Sequence, residues 1–177
     1  YQFQDNLKFL EGTCSSIPLS DKSVDIVTSF ETIEHHDQHG EMMQEICRVL
    51  KNDGILIISS PNRLVYSDKS NYSNPFHVKE LYYEEFLSLL TQYFKNVSIY
   101  GQRLATASFI YPLEKTDFII NSYTGKFYAS LGTELRPFCM DDPIYYFAIC
   151  SKQSGSSHKN HISTFIDSDV DLWSLTK

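Results

Sequence analysis

Glu31-x-x-Glu34-His35, with His77 farther along the chain, is the stretch of this sequence best suited to chemistry. A neutral imidazole titrates near cell pH and can take the proton of a hydroxyl as that hydroxyl attacks, so His35 and His77 are candidate general bases. Carboxylate and imidazole groups brought together could equally hold a divalent ion, which would lower the pKa of a hydroxyl bound to it. Spacing alone does not choose between these readings, and it assigns no metal ligand. Each histidine taken singly is as readily a structural or surface residue. His36 and His39 read as the solvated start of the helix that follows. Cys14, Cys47, Cys139 and Cys150 show no C-x-x-C spacing and have apolar or small neighbours. They are expected to be buried free thiols rather than a zinc or disulfide framework. A reducing, cytoplasmic setting follows as an expectation.

Such side chains need a scaffold, and the hydropathy pattern is that of an alternating one. Residues 8–11 read as a short strand closed by Gly12, before the polar turn Thr13-Cys14-Ser15-Ser16. Val24 to Phe30 reads as a second strand, introduced by Ser20-Asp21-Lys22-Ser23. Between about Asp37 and Lys51 the apolar residues Met43, Ile46, Cys47 and Leu50 recur at i, i+3, i+4 and i+7, which is one face of a helix. Asn52-Asp53-Gly54 is expected to close it, with Gly54 in a left-handed cap. Ile55 to Ile58 has no alternation, the pattern of a parallel strand covered on both faces. Pro61 is expected to end it. A second helix is expected from Tyr83 to Phe94, its face formed by Phe86, Leu89, Leu90 and Phe94, with Glu84 and Glu85 favourably placed in the first turn. Strands at Val97–Tyr100 and Ile144–Ser151 complete an α/β order.

The chain of 177 residues is long enough for one core, and 42% hydrophobic with 21% charged residues is an ordinary globular composition. A net charge of −7 argues against a protein that grips nucleic acid through its phosphates. No apolar run reaches the length of a membrane span. Residues 1–152 read as one domain, interrupted at 103–142 by an insertion rich in Phe and Tyr (Phe109, Tyr111, Phe118, Tyr123, Phe127, Tyr128). The insertion could wall a substrate pocket, or pack as a lid or dimer surface. Residues 153–177 shift to Ser, Gly, His and Asn and read as a linker and tail.

Three separate segments carry a resemblance. Phe9-Leu10-Glu11-Gly12 with Ile17-Pro18-Leu19 and Ser23-Val24-Asp25-Ile26-Val27, then Ser29 to His35, then Arg48 to Gly54 with Ile55 to Ser59, resemble in order and spacing the class I S-adenosylmethionine-dependent methyltransferases. The resemblance implies a partial Rossmann-like, doubly wound sheet, mostly parallel with an antiparallel last strand and lacking the first strands. It implies S-adenosylmethionine as cofactor, lying across the carboxyl ends of the strands. Carried over by position, Thr13 and Cys14 would meet the adenine, and Ser29, Phe30 and Glu31 would flank the methionine part. The family usually has Asp-Ala where Thr13-Cys14 stands, which weakens the adenine contact. The Gly-rich turn and the ribose-binding acid of the family are absent, so the expectation is an N-terminally incomplete domain, completed by a preceding segment or by a partner such as a second copy. Asn74 to Glu80 is similar to the substrate-facing segment of bacterial enzymes that methylate sugars. The implied activity is methylation of a small-molecule or sugar hydroxyl; the alternative is a non-catalytic, methyltransferase-like interaction module.

Overall fold

The computed structural model describes residues 6–103 and 142–153, and the backbone course of 123–128 and 132–137. The other aromatic residues of the insertion, Cys139 and the 154–177 tail lie outside the described residues. In chain order the elements are β1 (Val24–Ser29), a 3-10 turn (Ile33–His35), α1 (His39–Val49), β2 (Leu50–Pro61), a π-helical turn (Leu64–Asp68), α2 (Tyr83–Tyr93), β3 (Asn96–Gln102), β4 (Tyr123–Tyr128), β5 (Gly132–Pro137) and β6 (Tyr145–Ser151). β4 and β5 form an antiparallel pair of their own within the insertion.

The four remaining strands form one sheet in the order β1-β2-β6-β3. β1 runs parallel to β2, while β6 runs antiparallel to both β2 and β3. Three strands therefore point the same way, and the expected antiparallel last strand is β6. Ser29, Pro61 and Gln102 end at one rim, where Tyr145 begins β6 opposite both Pro61 and Gln102. The chain leaves that rim at Gln102 and returns to it at Tyr145, so the 103–142 insertion starts and finishes there. Every loop able to reach a ligand at the carboxyl ends is thus anchored on one side of the molecule.

The helical periodicity places the core. Met42, Met43 and Ile46 of α1 and Phe86 and Leu90 of α2 pack with Leu56 and Ile58 of β2 and Ala148 and Cys150 of β6. Alternate strand residues point to one face of a sheet, so both described helices cover the same face. Ile55, Ile57, Phe147 and Ile149, on the other face, are half-buried. Among the described residues no helix is long and apolar enough to cross a membrane.

Two local expectations change and a third holds. Residues 8–11 form no strand, and Phe9 and Leu10 are 80% and 59% exposed. Strand backbone needs a neighbour to satisfy its N–H and C=O groups, and β1 pairs with β2 alone. Gly54 does not cap α1, which ends at Val49; it lies within β2, where an added Cβ would stand 2.9 Å from Leu50 and 3.0 Å from the Asp25 carbonyl. Glycine there answers a close approach of strands. β2 ends at Pro61 as expected, and the proline is tolerated as its last residue because the next ladder bond, from the Asn62 N–H to the Ile144 carbonyl, lies on the β6 side. The Pro61 nitrogen therefore faces the side where β1 has already ended, opposite Ile58, and no ladder bond is lost.

A polar clasp ties residues 17–21 to α1. Arg48 donates to both Glu45 oxygens, to the Ile17 and Leu19 carbonyls and to Asp21, each at 2.7–2.8 Å, and the Ile17 N–H donates to Glu45 at 2.8 Å. The Arg48 hydrogen bonds, then the Ile17 amide, hold the Glu45 carboxyl down to about 2. A carboxyl lowered on folding contributes stability that is complete above its ordinary value of 4.5 and is lost as pH falls through the folded value. Protection of the Ile17 amide from hydrogen exchange should accordingly fade between pH 4.5 and 2. Arg48→Lys, which cannot fork, should speed that exchange at neutral pH and leave the Ile46 amide protected. Equal exchange in both proteins would remove the clasp from the account.

Candidate active site

The loop after β1 and the connection from β2 to α2 meet at the carboxyl rim. Two backbone bonds lock them together: the Glu34 carbonyl accepts from Val78 N–H at 2.7 Å and from Lys79 N–H at 3.0 Å. This clamp brings His77 to Glu34-His35. One ligand-capable atom from each of Glu34, His35 and His77 lies within 4.8 Å of the other two. Nε2 of His35 stands 3.7 Å from Glu34 Oε1, and Nε2 of His77 stands 3.9 Å from the same oxygen.

Hydrogen bonding orients both rings. His35 Nδ1 is 2.9 Å from the Phe76 carbonyl, and His77 Nδ1 is 2.6 Å from Glu80 Oε1. A carbonyl and a carboxylate only accept, so both Nδ1 atoms carry a proton, and in the neutral ring the lone pair is left on Nε2. Glu80 is itself held, its other oxygen accepting from Ser67 Oγ at 2.6 Å. Phe76 N–H donates to Asn74 Oδ1 at 3.0 Å, which turns the Asn74 Nδ2 toward His77 Nε2, also at 3.0 Å. Tyr66 stacks on the His77 ring at 5.3 Å and touches Tyr145 at 5.8 Å. The His77 ring is fixed on every side the chain can reach.

Glu34 is the unusual member. It is 1% exposed, and neither carboxylate oxygen has a hydrogen-bond partner among the described residues. Burial raises its carboxyl above the ordinary value. Buried carboxyls are normally paired, so an unpartnered one facing two imidazole lone pairs marks a site rather than a packing contact.

The other candidates divide. Glu31 does not join the cluster. Its backbone sits in the left-handed region, φ 48°, where a side chain is strained, and Ser59 holds it there. Ser59 Oγ accepts from the Glu31 N–H at 3.0 Å and donates to Glu31 Oε1 at 2.6 Å. Ser29, half-buried, ends β1, and Phe30, 54% exposed, stacks on Phe147 at 5.9 Å. The Thr13–Ser16 turn is bonded within itself, and Ile17 beyond it is held by Glu45 and Arg48 near the C-terminal end of α1. No described bond ties Thr13 or Cys14 to Phe30. His39 is buried at 6% exposure rather than solvated, with Nε2 2.8 Å from the His36 carbonyl, and burial lowers its proton affinity. Glu80, Asn74 and Tyr66 were not singled out from the sequence as site residues. The signals available were the resemblance of residues 74–80 to a substrate-facing segment and the His77-x-x-Glu80 spacing within it.

The end of β1 thus presents an exposed aromatic, Phe30, and a strained, serine-held acid, Glu31. No Gly-rich turn lies among the described residues. A cleft of about 270 Å³ opens at the same rim, lined by Asn62, Tyr83, Tyr100, Gly101, Pro143 and Tyr146 among others.

Residues 1–58 match a family model described as a methyltransferase domain. A probable S-adenosylmethionine-dependent methyltransferase of Mycobacterium tuberculosis is 38% identical over 85 residues, covering 48% of this chain and 31% of that protein. The uncharacterized methyltransferase YcgJ of Bacillus subtilis is 32% identical over 83 residues, covering 43% of this chain and 33% of the relative. The chain thus spans about a third of the length of the curated relatives it matches. Among solved structures, a methyltransferase of Thermotoga maritima superimposes with a TM-score of 0.53 at 19% identity, covering 81% of this chain and 63% of that one. A Haloferax volcanii methyltransferase complex gives 0.50 at 18% identity, with 89% and 66% covered. These two likenesses show the fold.

Proposed function

We propose that this chain, whose residues 1–58 match a methyltransferase-domain model, is part of an S-adenosylmethionine-dependent methyltransferase and takes part in methyl transfer to a hydroxyl of a small molecule or sugar. S-adenosylmethionine, the family's cofactor, supplies a methyl group on a sulfonium, so the protein's task is to orient the acceptor and manage its proton. The observation that carries the oxygen acceptor is the pair of lone-pair-bearing Nε2 atoms of His35 and His77 at the carboxyl rim. A hydroxyl is a poor nucleophile at neutral pH and needs such a partner, whereas a neutral amine does not. Ser29, Phe30 and Glu31 would line the donor's methionine end, and Thr13 and Cys14 its adenine end. The insertion, rooted at the same rim, would close over the acceptor. A reducing compartment such as the cytoplasm suits the free thiols Cys14, Cys47 and Cys150.

The first measurement is isothermal titration of the chain with S-adenosylhomocysteine. One-to-one binding, weakened at least tenfold in Phe30→Ala, would defeat the interaction-module reading; no binding here beside binding by a longer chain that carries the Gly-rich turn would favour an N-terminally incomplete pocket. The second is transfer of labelled methyl to a panel of sugars, phenols and amines. Hydroxyl acceptors should be labelled, with His77→Asn slower by about 10²–10⁴-fold, the range that positioned acid–base catalysis contributes. Labelling of amines alone would overturn the oxygen assignment.

A further inference from the structure

We propose that Glu34, His35 and His77 form a binding site for one first-row divalent transition ion. The inference deepens the oxygen-methylation reading and rests on it only for the use made of the ion. Four observations converge. The three ligand atoms lie within 4.8 Å of one another on two loops that the Glu34 carbonyl clamps together. The Glu34 carboxylate is 1% exposed with both oxygens unpartnered, which a bound cation would resolve. Both imidazoles turn Nε2 inward, and each is held by an outward Nδ1–H bond, one to the Glu80 carboxylate and one to the Phe76 carbonyl. Outer partners of those two kinds are what metal-bound histidines commonly have, and they fix the tautomer that a ligand needs.

The donor set decides the class of ion. Two imidazole nitrogens and one carboxylate oxygen suit zinc, cobalt, manganese or iron better than magnesium or calcium, which favour all-oxygen sites. Ligand bonds of about 2.1 Å would hold neighbouring donors roughly 3 to 3.5 Å apart. The imidazoles stand 3.7 and 3.9 Å from the Glu34 oxygen and the three ligand atoms lie within 4.8 Å of one another, so closing on an ion draws the donors inward by about 1 Å or less. Asn74 Nδ2, now 3.0 Å from His77 Nε2, gives way to the ion. Three protein ligands leave coordination positions open on the His35 side, whose side chain is 45% exposed. With both Nε2 atoms bound to the ion the imidazoles no longer serve as the base; an acceptor hydroxyl on the ion would instead have its pKa lowered and lose its proton to solvent.

Cobalt(II) titration of the chain, followed by visible absorption, tests the site without a methyl donor. One cobalt per chain should produce ligand-field bands that zinc(II) abolishes. Glu34→Gln and His77→Ala should lose the bands. His35→Ala changes a half-exposed side chain and should lose at least tenfold in affinity with unchanged circular dichroism. Glu80→Gln, which removes no ligand, should weaken cobalt about 10–100-fold. His36→Gln should bind as the parent does. No bands in the parent, or equal bands in His35→Ala and Glu80→Gln, would overturn the ion site. A silent cobalt titration beside intact S-adenosylhomocysteine binding sinks the ion alone, and the reverse pair of results sinks the donor reading alone.

Discussion

Phe86→Ala is expected to destabilise the protein by about 3–5 kcal/mol, the range for removing a fully buried phenyl ring. Phe86 is 0% exposed and stacks on Tyr146 at 5.9 Å, joining α2 to the antiparallel strand β6. Leu90, Leu56 and Ala148 belong to the same cluster. The cavity would open between elements drawn from distant parts of the chain, where neighbours anchored in a sheet cannot collapse inward. Single domains are stable by only about 5–15 kcal/mol, so the variant should sit near its unfolding threshold. Urea denaturation should show a lowered midpoint with little change in slope. A loss below about 1 kcal/mol would mean that α2 is not a principal cover of the sheet.

The second large effect runs the other way. Glu34→Met is expected to raise stability in metal-free solution by about 1–3 kcal/mol, the cost of leaving a buried polar group without a hydrogen bond. Methionine has a similar length and removes the two unpartnered oxygens. The backbone clamp from the Glu34 carbonyl to Val78 and Lys79 does not involve the side chain and should persist. The same variant should lose cobalt binding, so a gain in stability would accompany a loss of function. That trade is expected wherever a site holds a group in an environment unfavourable to it. An unchanged or lowered urea midpoint in metal-free buffer would show that the carboxylate is satisfied in a way the static geometry hides.

The largest difference between the sequence reading and the folded site concerns Glu31 and Glu80. The three-residue spacing of Glu31 and Glu34 suggests two carboxylates acting together. In the fold, the positive φ at Glu31 and its two bonds to Ser59 turn the first of them toward β2. Glu80 takes the place beside the imidazoles instead. Its contribution depends on the course of the connection between β2 and α2, which has no hydropathy period to reveal it.

What the sequence determined by itself was the order and type of β1, α1, β2, α2, β3 and β6. Helical and strand periodicities are local properties of side-chain spacing. They marked α1 and α2 within two residues and β6 within one. Motif order across Gly12, Glu31-x-x-Glu34-His35 and Gly54 carried the resemblance to methyltransferases, and a methyltransferase-domain model matches residues 1–58. Only the tertiary structure decided which chemical groups meet. The exposure of residues 8–11, the burial of Glu34 and the pairing of His77 with Glu80 all depend on which strands and loops become neighbours. Neighbours are chosen by the closing of long loops and the satisfaction of backbone groups across the sheet, and neither is written in the spacing of adjacent residues.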